Sequence, residues 1–517
     1  MDWIKDILLY HEQSPLLFTQ LYFWIFLTIV IAVYTGSYKV KSFRNIFLFA
    51  VSLFFYWKTG GLFLLLLVLT SLVDFANGIW IHKSGSRSKK IVFLSLSLLF
   101  NLGLLFYFKY AFFFIDALNQ IFNLDIQKVN IASLFINNSL GTSFDITRIF
   151  LPVGISFYTF QSLSYVFDVF KGKLQPVKNF FDYGFFVTFF PQLVAGPIVR
   201  ASQFIPQIYK EYEVSKEDFN RAVFLILNGL FKKMVISDYI SINFVDRVFD
   251  NPVSFTGFEN LMAVYGYGIQ IYCDFSGYTD VAIGVALFLG FRLPLNFNSP
   301  YKAENISDFW KRWHISLTSW FRDYIFLPIA FKVSSKLSKN KYAGLKTDFI
   351  IYFVAGMITF VLTGFWHGAA WRFIIWGLLH GILLVGHRFW TINVRTRRKK
   401  TLFAHFVSVF LTFNLVSFAW IFFRVQSMQA FHEMMHQFFT NFGWNVLFDM
   451  IISYKAVFLI ILFAYIVHWL PSSFKEKYRL WFYERPQWVK VIIALIVVFI
   501  CYQAKSSDVQ PFIYFQF

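Results

Sequence analysis

An all-α, polytopic integral membrane protein is the fold class that the 517-residue sequence predicts, and three observations carry that prediction. Hydrophobic residues make up 57% of the chain, against roughly 45–50% in soluble domains. Only 15% are charged, against roughly 25%. The 73 phenylalanines lift the aromatic share to 22%. A soluble fold could not bury that much apolar surface and still cover itself with polar atoms.

Apolar runs fall in order at about 16–36, 45–57, 62–81, 91–115, 149–170 and 180–197. They continue at about 222–240, 260–290, 314–331, 349–366, 371–390, 402–423, 456–470 and 490–503. A straight span needs roughly 20 residues, so the shorter runs predict tilted, re-entrant or broken segments. The total predicts about 11–13 transmembrane helices. Pro152, Pro191, Pro197 and Pro294 predict breaks of the kind that line a cavity. No linker or soluble domain interrupts the pattern, which reads as a single membrane domain over 1–517.

Lys and Arg number 47 against 28 Asp and Glu, a net charge of +19. The basic residues cluster in short loops between apolar runs, where they act as topology signals and contacts to anionic lipid; nucleic acid is not expected as a partner. Lys39, Lys41 and Arg44 follow the first run; Lys83, Arg87, Lys89 and Lys90 the third; Lys171, Lys173 and Lys178 the fifth. These clusters predict cytoplasmic loops, as do 332–346 and Arg395 to Lys400. The N-terminus and the Asn-rich stretch 116–148 are then expected to face outward. Cys273 and Cys501 cannot build a disulfide framework and lie in no metal-spacing motif. The N-terminal Met1-Asp2-Trp3-Ile4-Lys5-Asp6 lacks a basic n-region, so no cleaved signal peptide is expected.

Polar side chains inside apolar runs are costly and therefore point to function. The first such stretch is 308–324. Read as one helix, it pairs Asp308 with Arg312 and Ser319 with Asp323, and places His314 on a face with Trp310, Lys311, Leu317 and Thr318. An interfacial helix with Trp anchors and snorkelling bases is the structural alternative.

The second is the turn carrying His367, flanked by Gly364 and Gly368, which allow close backbone approach or a helix break. A neutral imidazole in an apolar site suits general-base work near pH 7, because burial disfavours its charged form. A histidine that simply satisfies a hydrogen bond is the alternative. The third is Tyr272 to Asp280. Its two acids, Asp274 and Asp280, are expected to cap a run broken at Ser276-Gly277 or to pair with Arg292. Lys232-Lys233 reads as a span end. His380 and His387 share a helix face without a third ligand nearby, so no metal site is expected.

Five blocks in order over about 150–390 resemble the membrane-bound O-acyltransferase family, and its alginate O-acetyltransferase-like bacterial branch in particular. They are 151–161 (Leu151-Pro152-Val153-Gly154 through Gln161), 190–198 (Phe190-Pro191-Gln192 through Ile198), 274–280, Trp310-Lys311-Arg312-Trp313-His314-Ile315-Ser316, and Phe365-Trp366-His367-Gly368. The resemblance implies helices around a central tunnel and assigns catalytic roles to His367 and His314. In many eukaryotic members the second position is Asn. It also implies that Trp366, Trp313, Asp274, Asp280, Ser316 and Gln161 line the passage. No bound cofactor or metal is implied. The expected donor is acyl-CoA, acetyl-CoA first, and the acceptor is a cell-surface or exported polysaccharide or a periplasmic acetyltransferase. The expected location is the bacterial inner membrane.

Acyl transfer needs a base for the attacking hydroxyl and a donor for the developing oxyanion. His367 is the expected base, with His314 or the Trp366 N–H polarising the carbonyl or orienting the acceptor. A glycan transporter or polymerase without acyl chemistry, or D-alanyl transfer to teichoic acid, are the competing readings.

Overall fold

The computed structural model describes residues 9–10, 15–194, 196–393, 401–504 and 512–513. The N-terminal stretch 1–6, the basic loop 395–400 and Ala195 of the second motif block lie outside the described residues. Within them the chain is helical almost throughout. Its one ladder pairs Lys341–Tyr342 with Leu345–Lys346.

Six helices are long and apolar enough to cross a membrane, or seven if a pair bent by 94° counts as one span. This is fewer than the eleven to thirteen expected from hydropathy. Among the described residues Leu21–Ser37 and Ile155–Phe170, with 17 and 16 residues, are only slightly shorter, and the run at about 222–240 lies in a continuous helical stretch that includes the π turn Phe231–Ser237. The long apolar helices leave large side chains uncovered. Leu402, Phe403, Phe406 and Phe410 are each 65–77% exposed, as are Leu495 and Phe499 at 64% and 62%. In water such faces would aggregate; a bilayer is the solvent that suits them.

The described chain falls into two compact units. The first comprises residues 1–212 with 368–370. Its helices are α1 (Leu21–Ser37), α2 (Lys41–Gly60), α3 (Phe63–Lys83), α4 (Arg87–Leu105), α5 (Ala111–Phe122), α6 (Ile131–Leu140), α7 (Ile155–Phe170), α8 (Phe180–Thr188) and α9 (Ala201–Ile208). A π turn, Phe106–Tyr110, joins α4 to α5. Asp74 of α3 is fully buried and accepts hydrogen bonds from Ser97 Oγ and, at 2.8 Å, Asn101 Nδ2. The Asp74 carboxyl is thus satisfied by donors from the neighbouring helix, as burial of a polar group requires.

The second unit comprises 213–367 and 371–517. It begins with α10 (Lys216–Leu230) and the long α11 (Gly257–Phe288), which starts on a capping box between Thr256 and Glu259. Helices α12 (Ile306–Arg312), α13 (Ile315–Phe321) and α14 (Leu327–Ser334) follow, then α15 (Thr347–His367), α16 (Trp371–Asn393), α17 (Leu402–Arg424) and α18 (Met428–Thr440). The unit ends with α19 (Leu447–Ser453), α20 (Lys455–Trp469), α21 (Ser472–Glu484) and α22 (Gln487–Ala504).

Two sequence expectations are corrected within α10 and α11. Ser276-Gly277 does not break the run: α11 continues through it for 32 residues. Gly277 instead lets α10 approach, because a Cβ there would lie 2.7 Å from the Gly229 carbonyl, and one on Gly229 would lie 2.5 Å from the Gly277 carbonyl. That crossing lays Lys232 and Lys233 against the acids of α11. Lys232 Nζ lies 2.7 Å from Asp280, and Lys233 Nζ lies 2.6 Å from Asp274 and 2.8 Å from Asp238. The two lysines are therefore not a span end, and the π turn Phe231–Ser237 carries Lys233 into the interior. Arg292, the partner expected for these acids, pairs with Asp218 at 2.9 Å.

Candidate functional site

The stretch expected to form one helix over 308–324 is divided in the middle. Asp308 and Arg312 pair as expected, at 3.0 Å. Helix α12 then stops, Trp313 is extended (φ −103°, ψ 130°), and His314 adopts the left-handed conformation (φ 43°, ψ 54°) before α13 begins. A side chain at positive φ is strained unless its surroundings hold it there. Here the segment 296–298 does so. Asn298 N–H donates to the Arg312 carbonyl at 3.0 Å, and Ile315 N–H donates to the Asn296 carbonyl at 3.0 Å. Asn296 Oδ1 accepts from Ser316 Oγ at 2.6 Å and from Ser316 N–H at 3.2 Å. Ser319, expected to bond Asp323, donates to the Ser316 carbonyl instead.

The break turns His314 fully inward: it is 0% exposed, with its ring edge-on to Phe275 at 4.6 Å. His367 is the last residue of α15 and is also buried. Gly364 and Gly377 bring α15 and α16 into backbone contact, since a Cβ on Gly364 would lie 2.3 Å from the Phe373 carbonyl. This seats the His367 ring against Trp376 at 5.0 Å and Phe423 at 5.1 Å. The Trp366 indole is near both histidines, 6.3 Å from the His314 ring and 4.9 Å from the His367 ring. Two imidazoles from distant parts of the sequence therefore approach the same tryptophan.

The other residues assigned by resemblance divide into groups. Trp313 packs on Phe297 and Trp420 at 5.0 and 4.9 Å, next to the site. Ser316 is held by Asn296. Asp274 and Asp280 are ion-paired to Lys233 and Lys232 as described, and Asp280 also accepts from Asn228 at 2.9 Å. Gln161 is buried on α7 of the first unit.

One residue escaped the sequence reading. Asn296 holds the 313–316 break; the turn-forming run Pro294-Leu295-Asn296-Phe297-Asn298-Ser299-Pro300 was the available signal. His380, weighed in the sequence only as a metal ligand, is fully buried with its ring against Trp376 at 4.7 Å and Trp310 at 5.2 Å, continuing the aromatic wall behind His367.

A cavity of about 390 Å³ lies in the second unit, lined by neighbours of the two histidines in sequence and not by the histidines themselves. Ile315, the residue after His314, and Thr363, one turn before His367, both line it, together with Trp310, Phe360 and Leu384. Lys311 and Arg322 add two positive charges to its wall, and Ser307, Thr318 and Thr359 add hydroxyls. An apolar cavity of this size with a few polar groups suits an organic substrate with an anionic portion.

Residues 14–425 match the model of MBOAT, the membrane-bound O-acyltransferase family. The chain is 34% identical over 418 residues to the peptidoglycan O-acetyltransferase of Helicobacter pylori, covering 76% of this chain and 73% of the relative. It is likewise 34% identical over 431 residues to the probable alginate O-acetylase AlgI of Pseudomonas aeruginosa, covering 82% and 75%. The teichoic acid D-alanyltransferase of Bacillus subtilis is 31% identical over 294 residues, covering 54% of this chain and 70% of the relative.

Proposed function

The chain belongs to the membrane-bound O-acyltransferase family, and from that premise we propose which group it moves and how. It is an O-acyltransferase and a multi-pass integral membrane protein. In our reading it takes an acetyl group from a thioester donor, acetyl-CoA, and delivers it to hydroxyls of a cell-surface or exported polysaccharide at the bacterial inner membrane. Delivery is direct or through a periplasmic partner transferase. The acetyl reading is preferred over D-alanyl transfer because the two acetyl-transferring relatives align over 76% and 82% of the chain, against 54% for the D-alanyltransferase.

The observation that carries the mechanism is the burial of His314 and His367 with both rings near Trp366. His367 takes the proton from the attacking hydroxyl, and the oxygen adds to the thioester carbonyl. The tetrahedral intermediate expels the thiolate as the C–S bond breaks and the ester C–O bond remains. The thiolate leaves as a thiol with the proton that His367 had taken. His314 or the Trp366 N–H supports the oxyanion. The cavity lined by Lys311 and Arg322 suits the phosphate-bearing donor.

The test is to give the purified full chain radiolabelled acetyl-CoA with an oligosaccharide acceptor. Label transfer or thioester hydrolysis is expected. Neither reaction, together with glycan movement across vesicles, would overturn the reading in favour of transport.

Asn296 acts here as a positioning residue. Asn296→Ala removes two hydrogen bonds from buried groups and is expected to cost roughly 1–3 kcal/mol of stability. Because it also releases Ser316 at the start of α13, two residues from His314, while the backbone bond from Ile315 N–H to the Asn296 carbonyl survives, kcat is expected to fall by more than the lost folded fraction explains, with KM for the donor nearly unchanged. Melting curves and steady-state kinetics on the same preparation check this; a rate loss that only tracks folded protein removes the positioning role.

A further inference from the structure

At the far end of α20 two lysines converge without an acid between them. Lys302 Nζ donates to the Leu470 carbonyl at 2.6 Å. Lys475 Nζ donates to the His468 carbonyl at 2.8 Å and to Ser299 Oγ at 2.9 Å. Both ammoniums therefore sit on carbonyls two residues apart, beside the left-handed Ser299 that opens the turn Pro300–Lys302.

Acids around the pair are engaged elsewhere: Asp308 with Arg312, Glu304 with His405 and Glu476 with Arg479, and Asp280 is taken by Lys232. Among the described residues neither Lys302 nor Lys475 has a carboxylate partner. Capping the helix explains part of the arrangement, but a helix C-terminus carries only about half a negative charge against two full positive ones. Each ammonium has three donors, and these contacts use three of the six.

Burial and the facing charges of Lys302 and Lys232 push Lys475 down to about 8. Lys302 is lowered by burial and by Arg312. A cluster of this kind is completed by an anion.

Helix α21, which carries Lys475, indicates where that anion comes from. Phe474, Tyr478 and Trp481 fall at i, i+4 and i+7 and are 55%, 54% and 45% exposed, while the adjoining Phe482 is buried against Phe224, which the edge of the strip also touches through Tyr478. A short helix with an exposed aromatic strip and flanking bases, here Lys477 and Arg485, is built to lie at a membrane interface.

We propose that Lys302, Lys475 and the Ser299 hydroxyl bind the phosphate headgroup of an anionic phospholipid, whose acyl chains lie along the aromatic strip of α21. The site is separate from the histidine pair and stands or falls independently of acyl transfer.

The test uses the purified full chain in mixed micelles containing either dioleoylphosphatidylglycerol or dioleoylphosphatidylcholine, with retained lipid counted by native mass spectrometry and melting temperature recorded alongside. Wild type is expected to retain phosphatidylglycerol in preference and to melt higher with it. Each lysine removed is expected to weaken retention about fivefold. The Lys302→Gln/Lys475→Gln variant should therefore lose the preference, Lys477→Gln should keep it, and Lys302→Arg/Lys475→Arg should restore it.

Phosphatidylglycerol retention by the double glutamine variant equal to wild type overturns the proposal. So does protection by inorganic phosphate or coenzyme A through the same lysines with no preference among lipids, which would make the anion a soluble one. If the double variant does not insert, Lys302→Gln alone decides: a fivefold loss supports the site and unchanged affinity overturns it.

Discussion

His367→Ala is expected to lower acyl transfer by about 10²–10⁴-fold, the usual contribution of a positioned general base, while the protein inserts and melts near the wild-type temperature. The expectation of retained folding comes from the ring's surroundings. His367 closes the end of α15 against Trp376 and Phe423, and these rings pack further on Trp420 and Phe373. Removing the imidazole trims one member of a dense aromatic wall and leaves the helix crossing at Gly364 and Gly377 intact. Rate and melting temperature measured on one preparation separate the two effects. Wild-type acetylation in His367→Ala would remove this residue from the mechanism. A matched collapse of both quantities would make it structural.

Lys233→Ala is expected to have the largest effect on stability. Lys233 is buried between Asp274 and Asp238, and Asp274 also accepts the Ile513 N–H at 2.9 Å. Removing the cation leaves the buried Asp274 carboxylate uncompensated beside the half-buried Asp238, and stripping a buried charge of its partner typically costs about 3–5 kcal/mol. That is a large fraction of the whole stability of a folded domain. Asp274→Asn is expected to do less, because Lys233 keeps Asp238. Yield of folded protein and melting temperature should therefore rank wild type above Asp274→Asn, and Asp274→Asn above Lys233→Ala. The same pair of variants tests whether Asp274 takes part in the reaction. Activity per folded molecule should stay near wild type in Asp274→Asn if the carboxylate only holds α10 to α11, and should fall if it lines the substrate path.

The fold class was legible because composition alone decides it: no aqueous arrangement accommodates so many phenylalanines. His314 and His367 were legible as candidates through motif chemistry. Their common approach to Trp366 was not, because it depends on how α11, α15 and the 296–298 segment pack together. The reading of 308–324 as one helix failed for an instructive reason. Asp308 and Arg312 form the local pair that a continuous helix would make, and this pair survives in α12. The interruption comes from Asn296, some twenty positions earlier, through hydrogen bonds that no local pattern reports. Lys232-Lys233 was misjudged similarly. Two adjacent bases at the end of an apolar run look like an anchor at the water boundary until the Gly229–Gly277 crossing shows two acids waiting opposite them.

The main chain at position 314 also acts as a filter on what heredity can place there. A left-handed residue with a side chain admits Asn, Asp and His far more readily than Val, Ile or Thr. Imidazole and carboxamide at this point therefore both belong to the small set that the backbone tolerates. Substitution libraries at 314 should be read with that in mind: a β-branched variant that is inactive reports a distorted chain, whereas an inactive asparagine variant reports on the chemistry of the ring.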